Sequence, residues 1–150
     1  MFLGTYEHNL DDKGRVNLPA RYREILSAQG ESRLIVTTNV DPAGRCLVAY
    51  PPKEWQAFQE RIAGLPQFDE NVIRLKRLHI AGAAECTPDR QGRILIPPTL
   101  REYAALGGAL IFAGLGNSIE LWGKAHWEEE RQRAKEALPE INDALARLGL

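Results

Sequence analysis

The stretch LDDKGRVNLP (residues 10–19) joins an Asp-to-Gly turn to an arginine and a short alternating strand that stops on proline. Nearly the same device returns as DRQGRILIP at residues 89–97. In DDKGR the Asp11 carboxylate can accept from backbone amides two residues on, and Gly14 can take a positive φ without steric cost. Asp89 and Gly92 hold the same places in the second copy. Side chains alternate along a strand, so Val16 and Leu18 share one face while Arg15 and Asn17 share the other; likewise Ile94 pairs with Ile96 and leaves Arg93 beside Leu95. The apolar faces turn inward and the arginines outward.

Working outward, a shift of the chain against itself by 78 places puts Gly4 on Gly82, Glu7 on Glu85, Asp11 on Asp89, Gly14 on Gly92, Arg15 on Arg93, Pro19 on Pro97, Arg23 on Arg101 and Glu24 on Glu102. Further along the shift falls to 72, matching Tyr50 with Trp122 and Trp55 with Trp127. The six-residue difference is a loop shortened in the second copy; the long version lies around TNVDPAGR (38–45), whose Asp-Pro and Ala-Gly steps are turn chemistry. Each half then reads as strand, Asp turn, strand, brief helix, hairpin and amphipathic helix. The strands are FLGTYEH, RVNLP, RLIVTT and CLVAY in the first half, and AGAAECT, RILIP, ALIFAG and SIELW in the second.

Pro19 and Pro97 suit the first helical position, which makes PARYREIL and PTLREYAAL brief helices, the latter ended by Gly107 and Gly108. Further helices fall near 52–64, 69–80 and 124–138, with a last piece from Pro139 to Leu148. In that tail Trp127, Ala134, Leu138, Ile141, Leu145 and Leu148 recur at helical spacing, a face built to be covered. Two copies are too few for a solenoid, and strands this short leave neither half able to close a core alone. The expected architecture is α+β: a first repeat over 1–76 and a second over 77–150, interleaved with approximate twofold symmetry into one barrel-like domain with peripheral helices.

Composition narrows the function. At 150 residues and 44% apolar content the chain can bury one good core. Nineteen Lys and Arg against twenty Asp and Glu leave a net charge of −1, so an anion site has to be a local patch. The absence of a long apolar run and of a basic, then apolar, start reads as a cytoplasmic protein without a membrane partner. Cys46 and Cys86 lack ligand spacing and read as buried free thiols. His8, His79 and His126 share no metal-ligand spacing, and no catalytic, nucleotide-binding or cofactor pattern occurs, so no metal, cofactor or small-molecule substrate is expected. Trp55, Trp122 and Trp127 read as packing between helices and sheet.

A guanidinium on a short strand suits phosphate oxygens and the O6/N7 edge of guanine alike. The plainer reading is that Arg15 and Arg93 only pair with Asp11 and Asp89; for Arg23 and Arg101, one helical turn past each proline, a structural role is the stronger reading. The duplicated Asp-x-x-Gly-Arg turn with proline four residues on, together with MFLGTYEHNLDDKGR, AGAAECTPDRQGRILIP and IELW, resembles the MraZ family over residues 1 to about 140. The resemblance implies a swapped-hairpin fold of the AbrB/SpoVT class. It also implies a bacterial transcriptional regulator that binds short G-containing direct repeats ahead of the division and cell-wall gene cluster, forms a ring-like homo-oligomer and acts on nucleoid DNA. It puts the DNA contact on Arg15, with Lys13 beside it, and gives Arg93 the equivalent place. Gln91 stands where the first copy has Lys13, which lowers the charge of the second turn.

VIRLKRLHI (72–80) gathers Arg74, Lys76 and Arg77, so Arg74 and Arg77 are candidate phosphate contacts, although a solvated helix face is the stronger reading. Residues 128–143, with six acids against three bases, should point away from DNA. Two other classes compete: an oligomer in which the duplicated turns serve only protein contacts, and a hydrolase using Asp11 or Asp89, which has no base or metal partner in view.

Overall fold

The computed structural model describes residues 1–40 and 45–150, so the Asp-Pro and Ala-Gly steps of the long loop lie outside the described residues. All eight expected strands are present. In the first half they are β1 (Thr5–Leu10), β2 (Arg15–Asn17), β3 (Leu34–Thr38) and β4 (Leu47–Tyr50); in the second, β5 (Ala84–Cys86), β6 (Arg93–Leu95), β7 (Gly108–Gly114) and β8 (Ile119–Gly123). Helices α1 (Ala20–Ala28), α2 (Pro52–Ala63) and α3 (Glu70–Leu75) belong to the first half, and α4 (Pro98–Tyr103), α5 (Lys124–Glu136) and α6 (Leu138–Arg147) to the second.

The halves interleave. Six strands form an antiparallel sheet in the order β1-β7-β8-β4-β3-β5, and β2 pairs with β6 as a separate two-stranded ribbon. Exchanging the copies turns β1 into β5, β7 into β3 and β8 into β4, which reads the same order backwards. The approximate twofold is also visible in the register. Val16 faces Ile94 across the ribbon and Val48 faces Glu120 across the central β4–β8 pair, and these are the residues that the shifts of 78 and 72 equate. The axis therefore passes through both pairs.

One core fills the space between sheet and ribbon. Val16, Leu18, Ile94 and Ile96 from the ribbon strands and their ends meet Leu34, Val36, Leu47, Ala49, Leu110, Phe112, Ile119 and Leu121 from the sheet, all buried. Neither copy could assemble this core by itself. On the sheet's opposite face Trp122 and Ile111 pack with Cys46, and the Trp127 ring of α5 lies 6.0 Å from that of Trp122. Trp55 of α2 stacks against Phe58. Both cysteines are buried thiols, and burial pushes that of Cys86 up to about 11.

Four local expectations are corrected. Pro19 and Pro97 sit one place ahead of the first helical residue, with extended ψ values of 133° and 150°, each continuing the extended backbone that leads out of its strand; in the second copy Pro98 takes the first position. The helix after it stops at Tyr103, not at the glycines: Ala105 adopts a φ of +51° and Leu106 N–H folds back to donate to the Arg101 carbonyl at 2.9 Å. The segment expected as one helix over 69–80 is α3 followed by a π turn at Lys76–Ile80. The wider turn seats His79 among Tyr50, Trp55 and Phe58, where burial lowers its pKa and neither ring nitrogen has a hydrogen-bond partner among the described residues. Finally, the apolar face of the last helix is not covered within the chain: Leu138 of α6 is 53% exposed and Leu148, just past its end, 81%.

Candidate nucleic-acid interface

Each motif builds its turn in the same way. Asp11 Oδ1 accepts from the amides of Lys13 (3.0 Å) and Arg15 (2.8 Å), and Asp11 Oδ2 accepts from Arg15 Nε at 2.9 Å. In the second copy Asp89 Oδ1 accepts from the amides of Gln91 (2.9 Å) and Arg93 (3.0 Å), and Oδ2 from Arg93 Nε at 3.0 Å. The backbone closes each loop: Asp11 N–H donates to the Arg15 carbonyl and Asp89 N–H to the Arg93 carbonyl, both at 2.8 Å. Gly14 and Gly92 have φ values of +85° and +78°, the left-handed conformation expected of them.

The ion pairs therefore exist, yet they use only one edge of each guanidinium. With Nε committed to the aspartate, no described residue engages the two terminal nitrogens of Arg15 or Arg93, and the carboxylate fixes the direction in which they project. The side chains are about a third exposed, 33% for Arg15 and 28% for Arg93.

The ribbon brings both arginines together. Arg15 faces Leu95 and Arg93 faces Asn17, so the arginines are diagonal neighbours on the outer face, roughly 7–8 Å apart at Cα by strand geometry. Val16 and Ile94 between them are buried on the inner face. Lys13 is exposed at the first turn. The expectation that Gln91 weakens the second turn overlooked its neighbour. Arg90, also exposed, stands where the first copy has Asp12, so the second turn sets two cations against one carboxylate and the first two against two.

Arg74 and Arg77 are not on the ribbon. Arg74 is held by Glu70 at 2.6 Å on α3, and Arg77 is exposed on the π turn, which packs against β3. Two residues of consequence had no target in the sequence: Arg23 and Arg101, whose guanidinium groups lie against Gly92 and Gly14. The shared shift of 78 equates them but could not reveal that each reaches the opposite copy. Among the described residues no group of three or more His, Cys, Asp or Glu could hold a metal ion, and no helix is long and apolar enough to cross a membrane.

The turn has a defined pH response. Backbone donation from Arg15, with Arg15's side chain adding to it, holds the Asp11 carboxyl below its ordinary 3.8, and donation from Arg93 does the same for Asp89. A depressed carboxyl contributes order that is present above the unfolded value and lost as pH falls through the folded one. The Arg15 and Arg93 amide resonances are thus expected to hold still from neutral pH down to the ordinary carboxylate range and to move together only below it. Movement near pH 6 would show that another group controls the turn.

The comparisons with known proteins agree with this duplicated geometry. The family model described as "MraZ protein, putative antitoxin-like" matches twice, over residues 1–78 and 79–147. The chain is 42% identical over 145 residues to the transcriptional regulator MraZ of Carboxydothermus hydrogenoformans, covering 97% of this chain and 96% of that one. It is 42% identical over 144 residues to the protein of the same name from Coxiella burnetii (strain Dugway 5J108-111), covering 95% and 93%. It is 39% identical over 150 residues to that of Halothermothrix orenii, covering both chains in full. On two matched halves and near-complete alignment with these relatives, the chain belongs to the MraZ family.

Proposed function

We propose that the chain is a sequence-specific DNA-binding transcriptional regulator whose reading element is the β2–β6 ribbon. The observation that carries this is the outer face of the ribbon, where Arg15 and Arg93 lie as diagonal neighbours, each aimed by an aspartate, with terminal nitrogens that no described residue engages. The major groove of B-DNA, about 12 Å wide, admits a two-stranded ribbon, and a guanidinium there can bond guanine O6 and N7 together. Lys13 beside Arg15 supplies a phosphate contact, with Arg74 and Arg77 as peripheral ones. The relatives carry the name transcriptional regulator, which favours this role over enzymatic chemistry.

The finer reading follows the family resemblance: a swapped-hairpin domain of the AbrB/SpoVT class with repeats at 1–76 and 77–150, acting on nucleoid DNA in the cytoplasm. It binds short G-containing direct repeats ahead of the division and cell-wall gene cluster as a ring-like homo-oligomer. Oligomerisation resolves the charge problem, since a chain of net charge −1 offers only a small cationic patch, and linked copies on repeated sites multiply the effective concentration of each. The open apolar face of α6 supports association with further copies.

Fluorescence anisotropy on a duplex carrying spaced G-containing repeats, against a shuffled duplex and across a salt series, tests the reading. Repeat-dependent binding is expected, with log affinity falling linearly in log salt by about 0.9 per phosphate neutralised. Equal or absent binding to both duplexes would leave an oligomer whose arginines serve protein contacts.

A further inference from the structure

Two arginines outside the reading face are tied to the motif turns in an exchanged fashion. Arg101, on α4 of the second half, donates from Nε to the Ile96 carbonyl of its own half at 2.9 Å. Its guanidinium lies against Gly14 of the first half, so close that a Cβ on Gly14 would sit 2.7 Å from Cζ and from Nε. Arg23, on α1 of the first half, repeats the arrangement: Nε donates to the Leu18 carbonyl at 3.2 Å, and a Cβ on Gly92 would sit 2.7 Å from its Cζ and Nη1. The backbone is crossed in the same sense, with Ile96 N–H donating to the Gly14 carbonyl and Leu18 N–H to the Gly92 carbonyl, both at 2.9 Å. The glycines therefore meet two demands, a positive φ and a seat for a planar cation.

The geometry points to Arg101 as the positioning residue of the first motif and Arg23 as that of the second, each guanidinium bridging from its own backbone to the motif glycine of the other half. Each Asp-to-Gly turn opens onto a ribbon strand only three residues long, so on that side its own ladder holds it weakly. A cation seated on the glycine and anchored at a carbonyl restricts the turn before DNA arrives, and ordering in advance spares the entropy that binding would otherwise cost. The functional part of this inference rests on the DNA reading above; the crossed brace does not.

Amide hydrogen exchange on the full chain tests the brace without DNA. In Arg101→Gln the amides of Lys13 and Arg15 are expected to exchange about tenfold faster while those of Gln91 and Arg93 hold, and Arg23→Gln should give the reverse. Arg101→Lys and Arg23→Lys, which keep the charge and lose the planar seat, give the same crossed pattern if a glutamine variant folds poorly. Equal acceleration in both turns, or acceleration in the turn of the variant's own half, overturns the brace.

Double-mutant cycles on repeat DNA then test its use. The affinity lost in Arg101→Gln should largely vanish in an Arg15→Ala background and persist in an Arg93→Ala background, with the reverse for Arg23→Gln. A loss at Arg101 that adds to both would mean that its guanidinium touches phosphate itself, which overturns positioning. Absence of wild-type binding would sink the DNA reading and leave the exchange result to decide the brace.

Discussion

Arg15→Ala is expected to lower affinity for repeat DNA by roughly 5-fold to 150-fold per site, the range that follows from losing a bidentate contact worth about 1–3 kcal/mol. In an assembly occupying several repeats the per-site losses compound, so the apparent loss should be larger on a multi-repeat duplex than on one repeat. The fold should not notice. The turn's backbone bonds, Asp11 N–H to the Arg15 carbonyl and the Lys13 and Arg15 amides to Asp11 Oδ1, need no Arg15 side chain. Only the Nε to Oδ2 pair is removed, and a solvent-accessible pair of this kind adds little to stability. Arg93→Ala should fall in the same affinity range, since its turn repeats the geometry and carries Arg90 alongside. Anisotropy, circular dichroism and sedimentation on the same preparations check all three readouts. A variant that unfolds, or whose assembly dissociates in step with lost binding, would make Arg15 a structural residue.

Much of this site was legible because the repeat made each half a control on the other. Period-two alternation placed Val16, Leu18, Ile94 and Ile96 inward and the two arginines outward, and the burial of the first four agrees. The strands were legible for the same reason, as short β-branched runs bounded by turn residues. What could not be read was partnership. Alternation says which way Arg15 points, but nothing local says that β2 pairs with β6 and not with a strand of its own half. That choice depends on where both chain segments close the core, a long-range matter. Arg101 was invisible as a brace for the same reason, because its glycine lies in the other half. The π turn at Lys76–Ile80 was hidden differently: its apolar spacing is helical, and the aromatic partners of His79, Tyr50, Trp55 and Phe58, are all distant in sequence.

Pairing across the halves makes a further substitution informative. Gly114→Ala, in the last position of β7, is expected to destabilise the protein by about 2–4 kcal/mol, between the usual cost of overpacking and that of removing a buried phenylalanine. A Cβ there would stand 2.6 Å from the Phe2 carbonyl carbon and 2.7 Å from the Leu3 nitrogen, and these are backbone atoms, so the amino-terminal segment has to move. It is not free to do so. Phe2 N–H donates to the Gly116 carbonyl at 2.6 Å, Gly116 N–H returns to Phe2 at 2.9 Å, and Gly114 N–H donates to the Gly4 carbonyl at 2.9 Å. Phe2 is 1% exposed, with its ring edge-on to the buried Tyr22, whose hydroxyl donates to the Gly4 carbonyl at 2.8 Å. Moving Phe2 thus opens the core beside α1 and loosens the start of β1, the strand that runs into the Asp11 turn. Gly107→Ala is the control, since nothing lies within 4 Å of its added methyl; it should stay within about 0.5 kcal/mol of wild type. Urea unfolding of both variants decides the point. Equal midpoints would mean that the amino-terminal segment yields without cost.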